Sequence, residues 1–254
     1  MSKSIPLGAF CWRDILTTNL QAAESFYNAM FGWEFRAEKP AGPGNCMPYT
    51  MIRMGGVGIG GAIQMPPEWQ VPSHWCPYIH VADCPEATGR ARDAGAEVIM
   101  ENVDVGVGMF SLIAPAHLAP LHLYQSKSPS DNFAPKGPGT FTWDECLCHD
   151  ATLAEEELTR MLGYGFGDFQ SPGYRLIMVD DAPVGGLLAL SPDRLPRPAW
   201  LSYVVVPDCV KALQHAATLG ASIAEPAMQV PMVGTVAVIL DPTGASLGLI
   251  QPLA

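Results

Sequence analysis

The 254-residue chain has little charge, and most of that charge has one sign. Only 15% of the residues are charged, and 25 acidic residues against 14 basic ones give a net charge of −11. A protein that binds the phosphate backbone needs a basic face, so this balance argues against a nucleic-acid partner. With a hydrophobic content of 48%, the composition also excludes a mostly disordered chain and is typical of a globular protein.

Long apolar runs and a signal segment are also missing. No apolar run approaches the roughly 18 residues of a membrane-spanning helix. The first ten residues, MSKSIPLGAF, lack the apolar core of a signal peptide. We therefore expect a cytoplasmic protein without a membrane partner.

Familiar catalytic and metal-binding motifs are absent as well. The sequence contains neither a GxSxG nor an HExxH motif, and GGVGIGG at residues 55–61 lacks the Lys-Ser/Thr ending of a phosphate loop, so we expect a turn there. The cysteines form no Cys-x-x-Cys pair and are odd in number, which argues against a disulfide framework. We expect buried, reduced thiols at all seven positions: Cys11, Cys46, Cys76, Cys84, Cys146, Cys148 and Cys209.

The chain does contain a repeat of itself. GAFCWRDILTTNLQAAESFYNAMFGW at 8–33 returns as GTFTWDECLCHDATLAEEELTRMLGY at 139–164, and later phrases of the two halves also match. The segment between the halves is rich in Ser, Pro, Gly and Lys, as a linker would be. The repeat predicts a first module over 1–126, a linker over 127–138 and a second module over 139–254.

Each half divides again into two motifs of strand, helix and further strands. The first helix is predicted to begin near Thr18-Asn19, two residues of capping type, and to end at Gly32, and the second to begin after Asp83 and to end at Gly95. Alternating runs such as YTMIRM and LHLYQ predict the strands. Glu157, in the run of three glutamates at 155–157, is expected to lie in a solvated first turn. The pattern is α+β, with four βαβββ motifs in two pairs.

This organisation resembles the vicinal oxygen chelate superfamily, which includes glyoxalase I, extradiol dioxygenases, fosfomycin-resistance proteins and bleomycin-binding proteins. The resemblance rests on FCWRDILTTN with AESFYNAMFGW, on the VGIGG and PVGG turns, on W-x-x-Y-[IV]-x-V at Trp75 and Trp200, and on LDPTGASLGLIQ near the C-terminus. It implies two tandem modules, each an open cup-shaped barrel, as in two-module glyoxalase-like bacterial proteins. Packing is the favoured role for Trp75 and Trp200.

In that superfamily a divalent metal lies in the cup, held by His, Gln or Glu on the first and last strands. Tryptophans occupy the first-strand places, Trp12 and Trp143, and neither can bind a metal. The other matching places are Cys76, His122, Leu201 and Gly248. Of these, only the thiol of Cys76 and the imidazole of His122 can bind a metal. That set is short of the three or four ligands expected. We therefore expect no cofactor, with a divalent metal on Cys76 and His122 left open.

Strand alternation predicts which side chains line each cup. The first cup is expected to present an aromatic and partly titratable lining: Trp12, Asp14, His74, Cys76, Tyr78, His80, His122 and Tyr124. The second cup is expected to have a plainer lining: Trp143, Glu145, Tyr203 and Val205. Within this set, the groups able to move a proton near neutral pH, and so the candidate catalytic residues, are Asp14, His80 and His122. Ordinary structural roles stay open for each, such as hydrogen-bonded rim histidines and tryptophans that fill the space a metal vacated.

The leading hypothesis is a protein that binds a small aromatic or hydrophobic metabolite or antibiotic in the first module, without the superfamily's metal. The second module would serve mainly as a structural partner. The alternative is a lyase, isomerase or dioxygenase of the superfamily, using Cys76 and His122 with an ion, or Asp14 and His122 as acid–base groups. A role in binding a regulatory protein is also open, and the chain is expected to be a monomer or a homodimer.

Overall fold

The computed structural model describes residues 5–38, 47–128, 137–169 and 173–253. In the first half these residues form the following elements: β1 Phe10–Thr17, α1 Leu20–Phe31, β2 Glu34–Glu38, β3 Tyr49–Met54, β4 Val57–Gln64, a 3-10 turn Pro67–Trp69, β5 His74–His80, α2 Cys84–Asp93, β6 Glu97–Asp104, β7 Gly108–Ala114 and β8 Leu121–Ser126. The second half repeats the order: β9 Phe141–Cys148, α3 Ala151–Leu162, β10 Gly165–Asp168, β11 Tyr174–Val179, β12 Ala182–Ala189, β13 Ala199–Val205, α4 Cys209–Thr218, β14 Ser222–Val230, β15 Gly234–Leu240 and β16 Ser246–Pro252.

The strands form two eight-stranded sheets, and each sheet takes its strands from one half of the chain. The first has the order β2-β3-β4-β1-β5-β8-β7-β6 and the second β10-β11-β12-β9-β13-β16-β15-β14. In each βαβββ motif the first strand pairs in parallel with the last, and the remaining pairs are antiparallel. Both sheets are open. This confirms the predicted α+β fold with two tandem modules of paired βαβββ motifs.

Local signals place the helices where the sequence predicts them. The Asn19 side chain accepts the N–H of Ala22 at the start of α1, and Gly32 ends that helix in the left-handed conformation with φ 71°. Asp83 caps α2 in the same way. Two adjacent glycines with positive φ make the turn between β3 and β4, so the glycine-rich run is a turn and a strand, as predicted.

The described residues fall into two compact units, and each unit combines one βαβββ motif from each half. The first comprises the described parts of Met1–Trp12, Cys76–Asn132 and Trp143–Trp200. The second comprises those of Arg13–Trp75, Phe133–Thr142 and Leu201–Ala254. The module boundaries stay a prediction, and most of the expected linker, 129–136, lies outside the described residues.

The core of the first compact unit lies between its sheet strands and the packed helices α2 and α3. The Arg90 guanidinium of α2 donates to the carbonyl of Met161 on α3 at 3.4 Å. Trp200 is buried in this core, and its indole N–H donates to the Ala119 carbonyl at 3.2 Å. Glu157 is buried too, so the expectation of a solvated position is wrong: the side chain faces the loop after β7, whose backbone N–H groups it accepts.

The second compact unit packs α1 against α4 around a group of aromatic rings. Trp75 donates its indole N–H to Tyr27 Oη at 3.0 Å, and the two rings meet edge to face. Trp33 stacks on Tyr27 with ring centroids 5.3 Å apart. The packing role favoured for Trp75 and Trp200 is therefore confirmed in both units.

The described cysteines are all reduced and buried, as predicted: Cys11, Cys76, Cys84, Cys146, Cys148 and Cys209. Cys46 lies outside the described residues. In the part of the chain that the structure describes, no helix combines the length and apolar character needed to cross a membrane.

Candidate functional site

Four of the predicted site residues meet on β5 and β8 in the first compact unit. The parallel register of these strands places Tyr78 opposite His122 and His80 opposite Tyr124. The rings of Tyr78 and His122 stack with centroids 3.9 Å apart and planes 6° apart. The Tyr124 ring approaches Tyr78 edge to face at 6.2 Å. The predicted alternation therefore brings these side chains to one face.

A residue that the sequence reasoning missed completes this group. Phe110 on β7 lies edge to face against both His122, at 5.4 Å, and Tyr78, at 6.0 Å. The signal was present, because β7 pairs with β8 so that Phe110 stands opposite Tyr124. We call these four rings, together with the thiol of Cys76 beside His122, the aromatic–thiol cluster: Cys76, Tyr78, Phe110, His122 and Tyr124.

Cys76 and His122 form the polar end of the aromatic–thiol cluster. The thiol Sγ lies 3.3 Å from His122 Nδ1 and 3.5 Å from the carbonyl oxygen of Pro120. Cys76 is 3% exposed and His122 is 6% exposed, so the contact is shielded from bulk water. A thiol beside an imidazole forms a pair that can share a proton, and the tautomer of the ring decides which atom donates.

Two further candidates from the first half, His80 and Trp12, belong to the first compact unit. The Nδ1 atom of His80 is 3.1 Å from the Ile5 carbonyl, which matches the role of a hydrogen-bonded rim histidine. Trp12 is half-buried on β1. Cys11 donates its thiol to the Tyr78 carbonyl at 3.4 Å and so ties β1 to the backbone of β5.

Three predicted site residues belong to the second compact unit. Asp14 is fully buried, and its carboxylate accepts the hydroxyl of Tyr49 at 2.9 Å. His74 is half-buried, with Nδ1 2.8 Å from the Pro72 carbonyl. Tyr203 is buried on β13. Tyr49 is a second residue that the sequence reasoning missed.

Two predicted residues of the second half, Trp143 and Glu145, are joined through Tyr174 by hydrogen bonds in the first compact unit. The indole N–H of Trp143 donates to Tyr174 Oη at 2.9 Å, and the Tyr174 hydroxyl donates to Glu145 Oε1 at 2.8 Å. Burial, and then the nearby charge of Glu145, hold the pKa of Tyr174 well above its ordinary value, so the phenol stays protonated. The repeat itself could have found Tyr174, because Tyr49 and Tyr174 open matching phrases.

Four equivalent residue pairs on the parallel strands include two of the superfamily's last-strand ligand places, His122 and Gly248. The paired residues are Asp14 with Gly61, Tyr78 with His122, Glu145 with Gly186, and Tyr203 with Gly248. At each of the three glycines a Cβ would collide with a tyrosine ring, which fills the space instead. The covering rings belong to Tyr49, Tyr174 and Tyr203. His122 alone among the four last-strand places carries a side chain.

The donor set within the described residues does not fit the superfamily's metal. A divalent ion bound through His, Glu or Gln needs three or more protein ligands. Among the residues that the structure describes, no three His, Cys, Asp or Glu side chains are grouped so that they could hold an ion. Cys76 and His122 make only a pair.

Comparison with known proteins places this fold and site in a family. No family model matches the chain. The chain is 31% identical over 248 residues to the Mycobacterium tuberculosis protein named "Putative glyoxylase CFP32", and the match covers 95% of this chain and 94% of that protein. The chain belongs to the glyoxalase-like proteins of the vicinal oxygen chelate superfamily. This member is also 26% identical over 260 residues to the anthracycline biosynthesis protein DauV of Streptomyces sp. strain C5, across 96% of this chain and 93% of the relative.

Solved structures agree with this glyoxalase-like fold. The Mn(II)-bound glyoxalase from Novosphingobium aromaticivorans matches 98% of the chain with a TM-score of 0.69 at 11% identity, and 83% of that protein is covered. The 2,3-dioxygenase LapB from Pseudomonas sp. KL28 matches the whole chain with a TM-score of 0.65 at 10% identity, over 94% of its own length. At these identities the likeness is one of fold.

Proposed function

We propose that the first module binds a small aromatic or hydrophobic molecule, a metabolite or an antibiotic, against the aromatic–thiol cluster and without the superfamily's metal. The observation that carries the proposal is the Tyr78–His122 stack. At the three equivalent places a tyrosine covers a glycine, whereas here an imidazole stands on the last strand and lies flat on a phenol ring.

The chemistry of the cluster supports an aromatic ligand. The half-buried ring of Phe110, backed by the buried rings of Tyr78 and Tyr124, supplies a surface that favours offset or edge-to-face contact with another ring. Cys76 and His122 supply the few polar atoms that orient a ligand in a mostly apolar site. Trp12, half-buried on β1, is proposed to contribute a further apolar wall.

The name of one relative also supports an aromatic ligand. DauV is named as an anthracycline biosynthesis protein, and anthracyclines contain a planar fused-ring system. We propose a ligand of that chemical type, a fused aromatic ring system with hydroxyl or keto groups, for the cluster of this chain.

Isothermal titration with a hydroxyanthraquinone tests the proposal. Trp12→Ala and His122→Leu are each expected to weaken binding by roughly tenfold or more, because each removes a ring that would contact the ligand. The matched control is Trp69→Ala, which removes an exposed indole from the 3-10 turn and is expected to leave the affinity unchanged. If the wild type and all three variants bind with equal affinity, the ligand does not bind at this cluster.

One observation favours a second candidate, an enzyme of the lyase, isomerase or dioxygenase type. Cys76 Sγ and His122 Nδ1 lie 3.3 Å apart, and a thiol–imidazole pair suits acid–base or nucleophilic chemistry. The name of the mycobacterial relative, a glyoxylase, supports the same candidate. The acid–base roles of Asp14 and His80 remain predictions.

Metal analysis of protein purified without chelator separates the two candidates. The binding proposal expects substoichiometric zinc, nickel, manganese and iron, and the same content in Cys76→Ser. A stoichiometric ion that is lost in both Cys76→Ser and His122→Leu would overturn the metal-free proposal and favour the enzyme. A cytoplasmic location and a monomeric or homodimeric state remain part of the proposal.

A further inference from the structure

The second compact unit has a cleft between the end of α1 and the start of α4. Its volume is about 420 Å³, which lies in the range of small-molecule sites. The apolar part of its lining includes Met30, Phe31, Pro207 and Ala212. All the residues that line it belong to this one unit. We call it the α1–α4 cleft.

An aromatic ring forms part of the wall of the α1–α4 cleft. Phe31 is half-buried, and it packs against the buried Trp33 with ring centroids 4.9 Å apart. Tyr27 stacks on Phe31 with centroids 6.3 Å apart and planes 14° apart. The core therefore fixes the orientation of the Phe31 ring, and its exposed part is preorganised for contact with a second ring.

Two basic side chains line the same cleft. Lys211 and His215 are one turn apart on α4 and so share a face of the helix. The Nζ atom of Lys211 lies 3.0 Å from Asp208 Oδ2, but the lysine side chain is 81% exposed. Such an exposed ion pair is weak, and an ammonium group has three N–H donors, so Lys211 can also pair with a ligand carboxylate. His215 Nε2 donates to the Ala29 carbonyl at 3.3 Å, which holds the imidazole where α4 meets α1.

The matching helix of the first half carries a different charge pattern. On α2, Glu86 and Arg90 stand in the places of Lys211 and His215, and they form an ion pair with each other. That helix therefore neutralises its own cation, whereas α4 has a lysine in the place of the acid. Among the residues that line the α1–α4 cleft, Asp208 is the only acid. The change of sign favours a negatively charged ligand.

We infer that the α1–α4 cleft is a second ligand site, which takes a small molecule carrying a carboxylate on an aromatic ring. The ligand ring packs against Phe31 and the neighbouring aliphatic side chains, and the carboxylate pairs with the ammonium group of Lys211. His215 supplies a further polar contact. The cleft and the aromatic–thiol cluster belong to different compact units, so either proposal can fail alone.

Isothermal titration with 2-naphthoate at low ionic strength tests the inference, with 2-naphthamide as the matched probe that has the same rings and no charge. 2-Naphthoate is expected to bind roughly fivefold more tightly than 2-naphthamide, because only the carboxylate can pair with Lys211. Lys211→Gln is expected to abolish this difference, and high salt to reduce it by screening. Ala212→Leu should weaken the binding of both probes, because the larger side chain occupies part of the cleft.

Two control variants should keep the preference for 2-naphthoate. Arg36→Gln removes another exposed cation of the same unit, one that is also paired with an acid. His122→Leu alters the aromatic–thiol cluster instead. Circular dichroism and thermal melts show whether each variant is folded. The inference is overturned if the wild type does not prefer 2-naphthoate, if the preference survives Lys211→Gln in folded protein, or if either control abolishes it equally.

Discussion

Glu157 accepts the backbone N–H of Ala116 at 2.7 Å, with its second oxygen 3.0 Å from the next backbone nitrogen. In the second half the matching loop carries its own carboxylate, because Asp241 accepts two backbone N–H groups of that loop. Pro115 stands in the place of Asp241 in the first half. For the loop of the first half, the carboxylate that accepts the N–H groups therefore lies on α3, whereas in the second half it lies in the loop itself.

Removing Glu157 is expected to destabilise the fold. Glu157→Ala leaves two partly buried N–H groups without their acceptor, and we expect a loss of about 2–4 kcal/mol in the free energy of unfolding. Glu157→Gln keeps one acceptor oxygen and should cost less. Urea denaturation measures both, with the exposed neighbour Glu156→Ala as a control expected within about 0.5 kcal/mol of wild type. Equal losses at both positions would contradict the role given to Glu157.

The hydrogen bonds around Asp241 in the second compact unit predict that Tyr27 and Asp241 contribute jointly to stability. Tyr27 accepts the indole N–H of Trp75 at 3.0 Å and donates to Asp241 Oδ2 at 2.9 Å. Tyr27→Phe leaves both partners short of a hydrogen bond and should cost about 1–3 kcal/mol. In a double-mutant cycle with Asp241→Asn, the two losses are expected to be non-additive by about 0.5 kcal/mol or more. Strict additivity would show that the hydrogen bond contributes nothing to stability.

The glycines under the tyrosine rings are expected to tolerate no side chain. A Cβ on Gly61 would collide with Tyr49 Oη and Asp14 Oδ1, so Gly61→Ala should cost about 1–3 kcal/mol through overpacking. A Cβ added to Gly89 within α2 would meet no atom within 4 Å, so Gly89→Ala should stabilise the protein by about 0.5–1 kcal/mol. The melting temperature should therefore decrease in Gly61→Ala and increase in Gly89→Ala. A shift of the same sign in both would contradict this reading of Gly61.

Alkaline pH is expected to destabilise the protein through its buried thiols. Burial raises the pKa of Cys148 from 9.0 to about 11, so the folded state holds a proton that the unfolded state releases. The stabilisation is fully present below pH 9 and is lost as the pH rises towards about 11.

Unfolding in urea at a series of pH values checks this prediction. The urea concentration at the unfolding midpoint should decrease as the pH rises from 9 to about 11, and the decrease should be smaller in Cys148→Ala. The other buried cysteines and tyrosines with raised pKa values contribute in the same direction, so the slope should decrease rather than vanish. An unchanged slope in Cys148→Ala would contradict the assignment.

The sequence predicted the repeated architecture well because its signals are local or periodic. Asn19, Gly32 and Asp83 mark helix ends by chemistry that acts within one turn. Strand alternation placed Cys76, Tyr78 and His122 on one face, since the period of two depends only on the backbone.

What the sequence could not reveal depends on contacts between distant segments. Alternation does not say which ring covers a glycine, so the pairs of Tyr49 with Asp14 and Tyr174 with Glu145 were missed. Glu157 looked solvated because a run of glutamates at a helix start usually is. Its burial depends on a loop 40 residues earlier whose own carboxylate is replaced by Pro115.

Each hydrophobic core contains residues from both halves of the repeat: the first joins Phe10 and Ile79 to Met161 and Leu187, and the second joins Ile15 and Trp33 to Val204 and Leu249. A half-length chain would therefore supply only part of each core and would need a second molecule to complete it. Carrying both halves in one chain replaces that concentration-dependent association with an intramolecular one, so formation of the cores does not depend on protein concentration.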